Sequence, residues 1–211
     1  ESGIKIEVNI ITPKYKIVDL IRQAQLPNTQ IFRLDTTEME ENIKQLQPIK
    51  KVYVRRFWHP ARIDVLVEER VPVFLITPKI DAAPIAAITT DAVLIDREYM
   101  PISPKFKTYK IITYGVRGDD YEKWNKERGD EILRLTTALE VYSGQIVEYI
   151  DLRNPTDVYI KLEKVLIRFG EINDTALVRA KWIATILPET RNFKQKIKYI
   201  DLRWEDAHYI K

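Results

Sequence analysis

Residues able to do chemistry are few in this chain, and their spacing decides what they could do. A hydrolytic triad needs a nucleophile, a histidine base and an orienting acid brought together in space. The candidates are His59 and His208 with Ser103 or Ser143. His59 adjoins Pro60 in a turn-like context and His208 lies near the end of the sequence. Neither serine sits in a nucleophile-elbow pattern, so both histidines read as surface residues. For a hard cation, Asp119-Asp120 and Glu40-Glu41 offer oxygens but lack EF-hand spacing, and acids near helix starts favour the helix dipole instead. Glu68-Glu69 are adjacent on a predicted strand and must point to opposite faces, so they cannot act as a carboxylate dyad. The run Lys50-Lys51-Val52-Tyr53-Val54-Arg55-Arg56-Phe57-Trp58 mixes cations and aromatics as single-strand binders do. Glu68 and Glu69 face it on the next predicted strand and can pair with its cations, so it reads as a solvated sheet face.

Composition leads the same way. The 211 residues contain no Cys, two His, three Ser and six Gly, which excludes disulfides, thiolate chemistry and cysteine zinc sites and leaves little for a glycine-rich phosphate loop. Neither a metal nor a cofactor is expected. An apolar content of 45% supports a packed core. The 34 basic and 31 acidic residues divide near residue 74 as 12 against 10 and 22 against 21, so neither part carries the field that nucleic-acid binding needs. No stretch reaches the roughly 18 apolar residues of a membrane span. The chain begins Glu1-Ser2-Gly3 without an initiator Met, as a trimmed or processed product would.

The elements that must position these residues fall into two groups. Ile4, Ile6, Val8 and Ile10 alternate as in a half-buried strand. Val18, Ile21 and Ala24 predict a helix over Tyr15 to Ala24, and Met39, Ile43 and Leu46 predict another, with Thr37 and Glu40 spaced as a capping box. Lys51 to Trp58 and Ile63 to Val67 form a hairpin across His59-Pro60-Ala61, and Pro72, Pro78 and Pro84 mark a junction. The second group has strands at Ala92–Ile95, Lys110–Tyr114, Ile146–Leu152, Val158–Leu162 and Val165–Phe169. A helix over Asp119–Tyr142 carries Gly129 as a candidate interruption. Asn173 or Asp174 caps a further helix ended by Pro188, and Ile197–Trp204 is the last strand. The fold class is therefore α+β, a small β-α-α-β-β domain at 1–74 and a larger mixed domain at 75–211 with a mostly antiparallel sheet and a C-terminal edge strand. One segment recurs after fifty residues: Tyr149-Ile150-Asp151-Leu152-Arg153 and Tyr199-Ile200-Asp201-Leu202-Arg203 read as sister strands.

Together these segments resemble the extracytoplasmic region of the bacterial cell division family FtsQ/DivIB, a POTRA domain followed by a β domain. Pro48 to Trp58 is similar to that family's second POTRA strand, and Ile63 to Val73 to its third strand with the Glu-Arg-x-Pro junction at Glu69-Arg70-Val71-Pro72. Leu94-Ile95-Asp96 resembles the opening of the β domain and Tyr199 to Trp204 its terminal strand. Two departures are His59 between Trp58 and Pro60, and Arg97-Glu98 where a Gly is usual.

The resemblance implies a non-enzymatic scaffold of the divisome, on the extracytoplasmic (periplasmic) side of the plasma membrane behind a single N-terminal anchor. It implies partners of the FtsB/FtsL type at the β domain, and other division proteins at the POTRA domain. Carried over from the family's terminal strand, the partner-binding segment is Arg203, Trp204, Glu205, Asp206, Ala207, His208 and Tyr209. An edge strand there would accept a partner strand through its free N–H and C=O groups, with Trp204 as anchor. A POTRA-bearing peptide-binding module of an outer-membrane assembly or secretion system is the competing expectation.

Overall fold

In the computed structural model, the chain is described at residues 3–8, 17–21, 33–59, 61–100, 106–114, 125–190, 197–204 and 209–210. It divides into two compact units, Glu1–Val73 with Ala87–Lys107, and Phe74–Ala86 with Thr108–Lys211.

The first unit is built on a three-stranded sheet of order β1-β3-β2, from β1 (Gly3–Val8), β2 (Ile49–Trp58) and β3 (Ala61–Glu69). β2 and β3 are an antiparallel hairpin paired from Trp58↔Ala61 to Ile49↔Glu69, and β1 joins β3 in parallel from Gly3↔Arg62 to Val8↔Val67. Alternation along β3 sends Ile63, Val65 and Val67 to one face. There they meet Ile17 and Ile21 of a helical segment, α1 (residues 17–21), and Met39 and Ile43 of α2 (Thr36–Lys44). Each such side chain contributes about 1.5–3 kcal/mol through its burial. The expected capping box at Thr37 is not the cap. Asp35 precedes the helix in extended backbone, and its carboxylate accepts from Thr37 N–H (2.8 Å) and Glu38 N–H (3.3 Å), where an N-cap acceptor must reach. Glu40 instead accepts the Val54 N–H at 2.7 Å and so ties α2 to β2.

Residues 87–107 group with this unit through polar contacts. Gln47 donates to Asp96 Oδ2 (2.9 Å) while Asp96 N–H donates back to Gln47 Oε1 (2.8 Å), Arg70 pairs with Asp91, and Thr90 N–H bonds Val71 O. They include β5 (Ala86–Thr89), apart from its first residue, and β6 (Leu94–Asp96). The Pro-marked stretch before them is β4 (Pro72–Thr77), which alternation alone did not reveal because nearly all its residues are buried.

In the second unit the strand order runs β12-β11-β10-β9-β8-β7-β4. Its strands are the Phe74–Thr77 part of β4, β7 (Tyr109–Ile112), β8 (Val147–Asp151), β9 (Val158–Leu162), β10 (Leu166–Gly170), β11 (Ile200–Asp201) and β12 (Tyr209–Ile210). Pairing is antiparallel at β8–β9–β10 and β11–β12, and parallel at β4–β7–β8 and β10–β11. The parallel joins need crossovers. Between β7 and β8 the crossover carries α3 (Lys126–Ser143), capped by Asn125 and closed by Gly144 at φ 65°. Gly129 does not interrupt it: the Gly129 N–H bonds Asn125 O, and the missing Cβ lies 3.9 Å from the Phe74 ring. Between β10 and β11 run α4 (Ala176–Lys181) and α5 (Ile183–Thr190). The helical break falls at Trp182 rather than at the expected Pro188, which lies inside α5. Ile132, Leu135 and Leu139 of α3 are fully buried, as are Ile111, Ile150, Ile160, Ile167 and Ile200 of the sheet.

The expected last strand, Ile197–Trp204, contracts to Ile200–Asp201. The cause is local: the Asp201 carboxylate accepts the Arg203 N–H two residues on, which turns the chain out of the sheet. β12 then returns antiparallel, Asp201 opposite Tyr209, and takes the end of the strand order.

Candidate protein-binding edge

The site is built around the exit of β11. Asp201 is 3% exposed and grips Arg203 three ways: its carboxylate accepts from Arg203 N–H (3.1 Å), Nε (2.9 Å) and Nη2 (2.8 Å). Burial pushes the Asp201 carboxyl up, but the side-chain and backbone bonds from Arg203 together outweigh it and hold its pKa below the usual aspartate range. Arg203 is raised in turn by its side-chain bond to Asp201. Beside it on β10, Arg168 forms a two-point bond with Asp157 (2.8 and 2.7 Å) and stands 4.0 Å from Asp201. Bonding to Arg168 lowers the Asp157 carboxyl. The result is an alternating row, Asp157–Arg168–Asp201–Arg203, whose charges cancel in place.

Backbone shape completes the hold on Arg203. Gly170 ends β10 at φ 77°, and a Cβ built there would lie 2.8 Å from Arg203 Cγ. Only glycine both adopts that conformation without cost and leaves the slot in which the Arg203 stem lies. Trp204 follows, 60% exposed, with the Arg203 guanidinium 5.9 Å from its ring centre.

Sequence reasoning missed Arg179. It is 4% exposed on α4 and donates to Phe169 O (2.7 Å), Asn173 Oδ1 (3.2 Å) and, at 3.5 Å, Leu202 O, with its guanidinium 4.4 Å from the Phe169 ring. It gathers carbonyls from the ends of β10 and β11, flanking Gly170 and Arg203. A signal was present: position 179 lies three after Ala176 and four before Ile183, on the helix's buried stripe, where a cation must have a purpose.

Of the expected partner-binding residues, Arg203 and Trp204 stand together here, and Tyr209 contributes described backbone in β12. Glu205, Asp206, Ala207 and His208 lie outside the described residues. The echoed segment repeats the geometry. Asp151 accepts from Arg153 N–H (3.1 Å) and Nε (2.9 Å), and Arg153 sits 5.9 Å from the Tyr114 ring. Leu152 N–H bonds Ile112 O across β7–β8 as Leu202 N–H bonds Arg168 O across β10–β11.

The other candidates separate. His59 is exposed, Ser143 Oγ accepts the Gln145 N–H at the end of α3, and Ser103, Asp119, Asp120 and His208 lie outside the described residues. Glu68 pairs with Lys50 and Lys51 at 3.6 Å while Glu69 is buried, on opposite faces as adjacency on a strand requires. Among the described residues no group of three His, Cys, Asp or Glu could hold a metal ion, and no helix is long and apolar enough to cross a membrane. What this arrangement offers is a binding surface: a short strand at the end of the strand order, and an exposed Trp whose neighbour Arg203 is held by Asp201.

Comparison with known families places a POTRA domain of the FtsQ type at residues 2–70, the segment that carries β1, α1, α2 and the β2–β3 hairpin. This is a division-related protein-interaction module. No curated protein matches the chain.

Proposed function

We propose that this chain, whose residues 2–70 are an FtsQ-type POTRA domain, is the extracytoplasmic region of a non-enzymatic divisome scaffold. In this reading the POTRA domain occupies 1–74 and a partner-binding β domain 75–211. A single N-terminal anchor holds the protein in the plasma membrane at the septum, with these domains on the periplasmic side. Partners of the FtsB/FtsL type dock on the β domain, and so link septum assembly to wall synthesis.

The observation that carries the reading is the position of β12, Tyr209–Ile210, at the end of the strand order, five residues after an exposed Trp204. A partner strand added to β12 would gain main-chain hydrogen bonds, and Trp204 with Arg203 would select its side chains. The segment Arg203, Trp204, Glu205, Asp206, Ala207, His208 and Tyr209 is the proposed contact. The test is a pull-down with the anchored full-length protein, comparing wild type, Trp204→Ala and a deletion of residues 204–211. Loss of the same FtsB/FtsL-type partner in both variants, with folding intact by circular dichroism, supports the site. Retention of that partner by a folded deletion variant removes it.

A further inference from the structure

The basic-aromatic run of β2 has no part in the proposed edge, and its charges are sorted along the hairpin. At the end far from the turn, Lys50 and Lys51 are answered by Glu68. Toward the turn, Arg55 and Arg62 share one acid on their face among the described residues, Asp64, which lies 3.2 Å from Arg62, while Arg56 on the opposite face donates to Leu34 O at 3.0 Å. Aromatic rings concentrate at the same end, one on each face of the hairpin. Arg56 stands 4.7 Å from the ring of Trp58, and Arg62 stands 4.3 Å from the ring of Phe57 across the strand pair. Trp58 is 61% exposed. A tip that is cationic and presents a Trp and a Phe has the composition of a membrane-interface anchor, with arginines for anionic headgroups and rings for the headgroup–acyl boundary.

Register supplies the second observation. β1 runs parallel to β3 and begins at Gly3 opposite Arg62, while Trp58 pairs with Ala61. The start of β1 and the hairpin tip therefore lie at the same end of the sheet. They are two strands apart, or about 10 Å. Whatever precedes Gly3 enters this domain beside the Arg/Trp tip.

We infer that the tip, Arg55, Arg56, Phe57, Trp58 and Arg62, docks on the anionic surface of the bilayer. The inference rests on the reading that a membrane anchor precedes Gly3, since an anchor there delivers the chain at the end of the sheet that carries the tip. Anchor and tip would then be two attachments of one domain, fixing its orientation on the membrane where the anchor alone would leave it free to swivel.

The experiment tethers the 211-residue chain by an N-terminal hexahistidine tag to vesicles containing nickel-chelating lipid, so that the tag stands in for the anchor. Quenching of tryptophan fluorescence by brominated phosphatidylglycerol is compared between wild type and Trp58→Phe. The expected result is quenching that disappears in Trp58→Phe, weakens with added salt, and is stronger with the tag at the N-terminus than with the tag moved to the C-terminus. Without a tether, cosedimentation with phosphatidylglycerol vesicles is expected to fall about fivefold for each of Arg55→Gln and Arg62→Gln. Equal quenching in wild type and Trp58→Phe overturns the inference. So does binding of the tip to a single-stranded oligonucleotide in preference to the vesicles. Whether the complete gene encodes an N-terminal membrane span is a separate observation: its absence would defeat the anchor, while tip-dependent vesicle binding by the untethered chain would still be read.

Discussion

At the residue scale, Asp201 is the most consequential side chain of the β-domain site, because it both ends β11 and fixes Arg203. Asp201→Asn keeps the shape and removes the charge, and is expected to destabilise the second unit by about 2–3 kcal/mol, read as a lowered urea midpoint. The pH dependence has a definite sign. Asp201 and Asp157 have lowered carboxyl pKa values, so the stability they contribute is fully present above the ordinary aspartate value. It is lost as pH falls through the lowered values, in the acid range below about pH 4. Urea midpoints measured down that range should fall steeply for wild type and less steeply for Asp201→Asn. Gly170→Ala forces an L side chain into φ 77° against the Arg203 stem and should cost about 2 kcal/mol. Arg203 Nε–H exchange, followed by NMR, should quicken in the same variant as the clamp opens.

At the element scale, the stretch from β10 through α4 to β11 is organised by Arg179. Replacing it with Met removes the donors that gather Phe169 O and Leu202 O, and is expected to lower thermal stability by about 3 kcal/mol. Arg179→Lys should restore only part of this, because an ammonium cannot reproduce the planar fork. Elements differ in how legible they were. The POTRA hairpin was readable because its strands have one wet face and one dry face, so Val52, Val54, Ile63, Val65 and Val67 alternate with polar neighbours. β4 was not, because Val73, Phe74, Ile76 and Thr77 are all buried and the alternation vanishes. The parallel joins were equally hidden, since strand direction is set by crossover helices and leaves no mark on the strand's own pattern. Arg203 and Trp204 came from a family likeness. Their geometry depends on Gly170 and Arg179, more than twenty residues earlier in sequence, and no local spacing conveys that.

For the whole molecule, the near balance of charge in both parts of the chain argues for selective surfaces over a general field. An oligonucleotide shift at low salt is expected to show no binding, and a salt-steep shift would contradict that expectation. Residues 2–70 are an FtsQ-type POTRA domain whose hairpin carries a cationic aromatic tip, and the second unit ends its strand order in β12. The central claim is that a division partner adds a strand to β12. It is tested most directly by amide hydrogen exchange at Tyr209 and Ile210 in the full 211-residue chain, with and without a soluble FtsB/FtsL-type partner pair. The account predicts that the Ile210 amide, which points away from β11, becomes protected on binding, while the Tyr209 amide, turned toward Asp201 in the β11–β12 pair, and those of β8 and β9 do not change. A partner that binds and leaves Ile210 exchanging as before would contradict it.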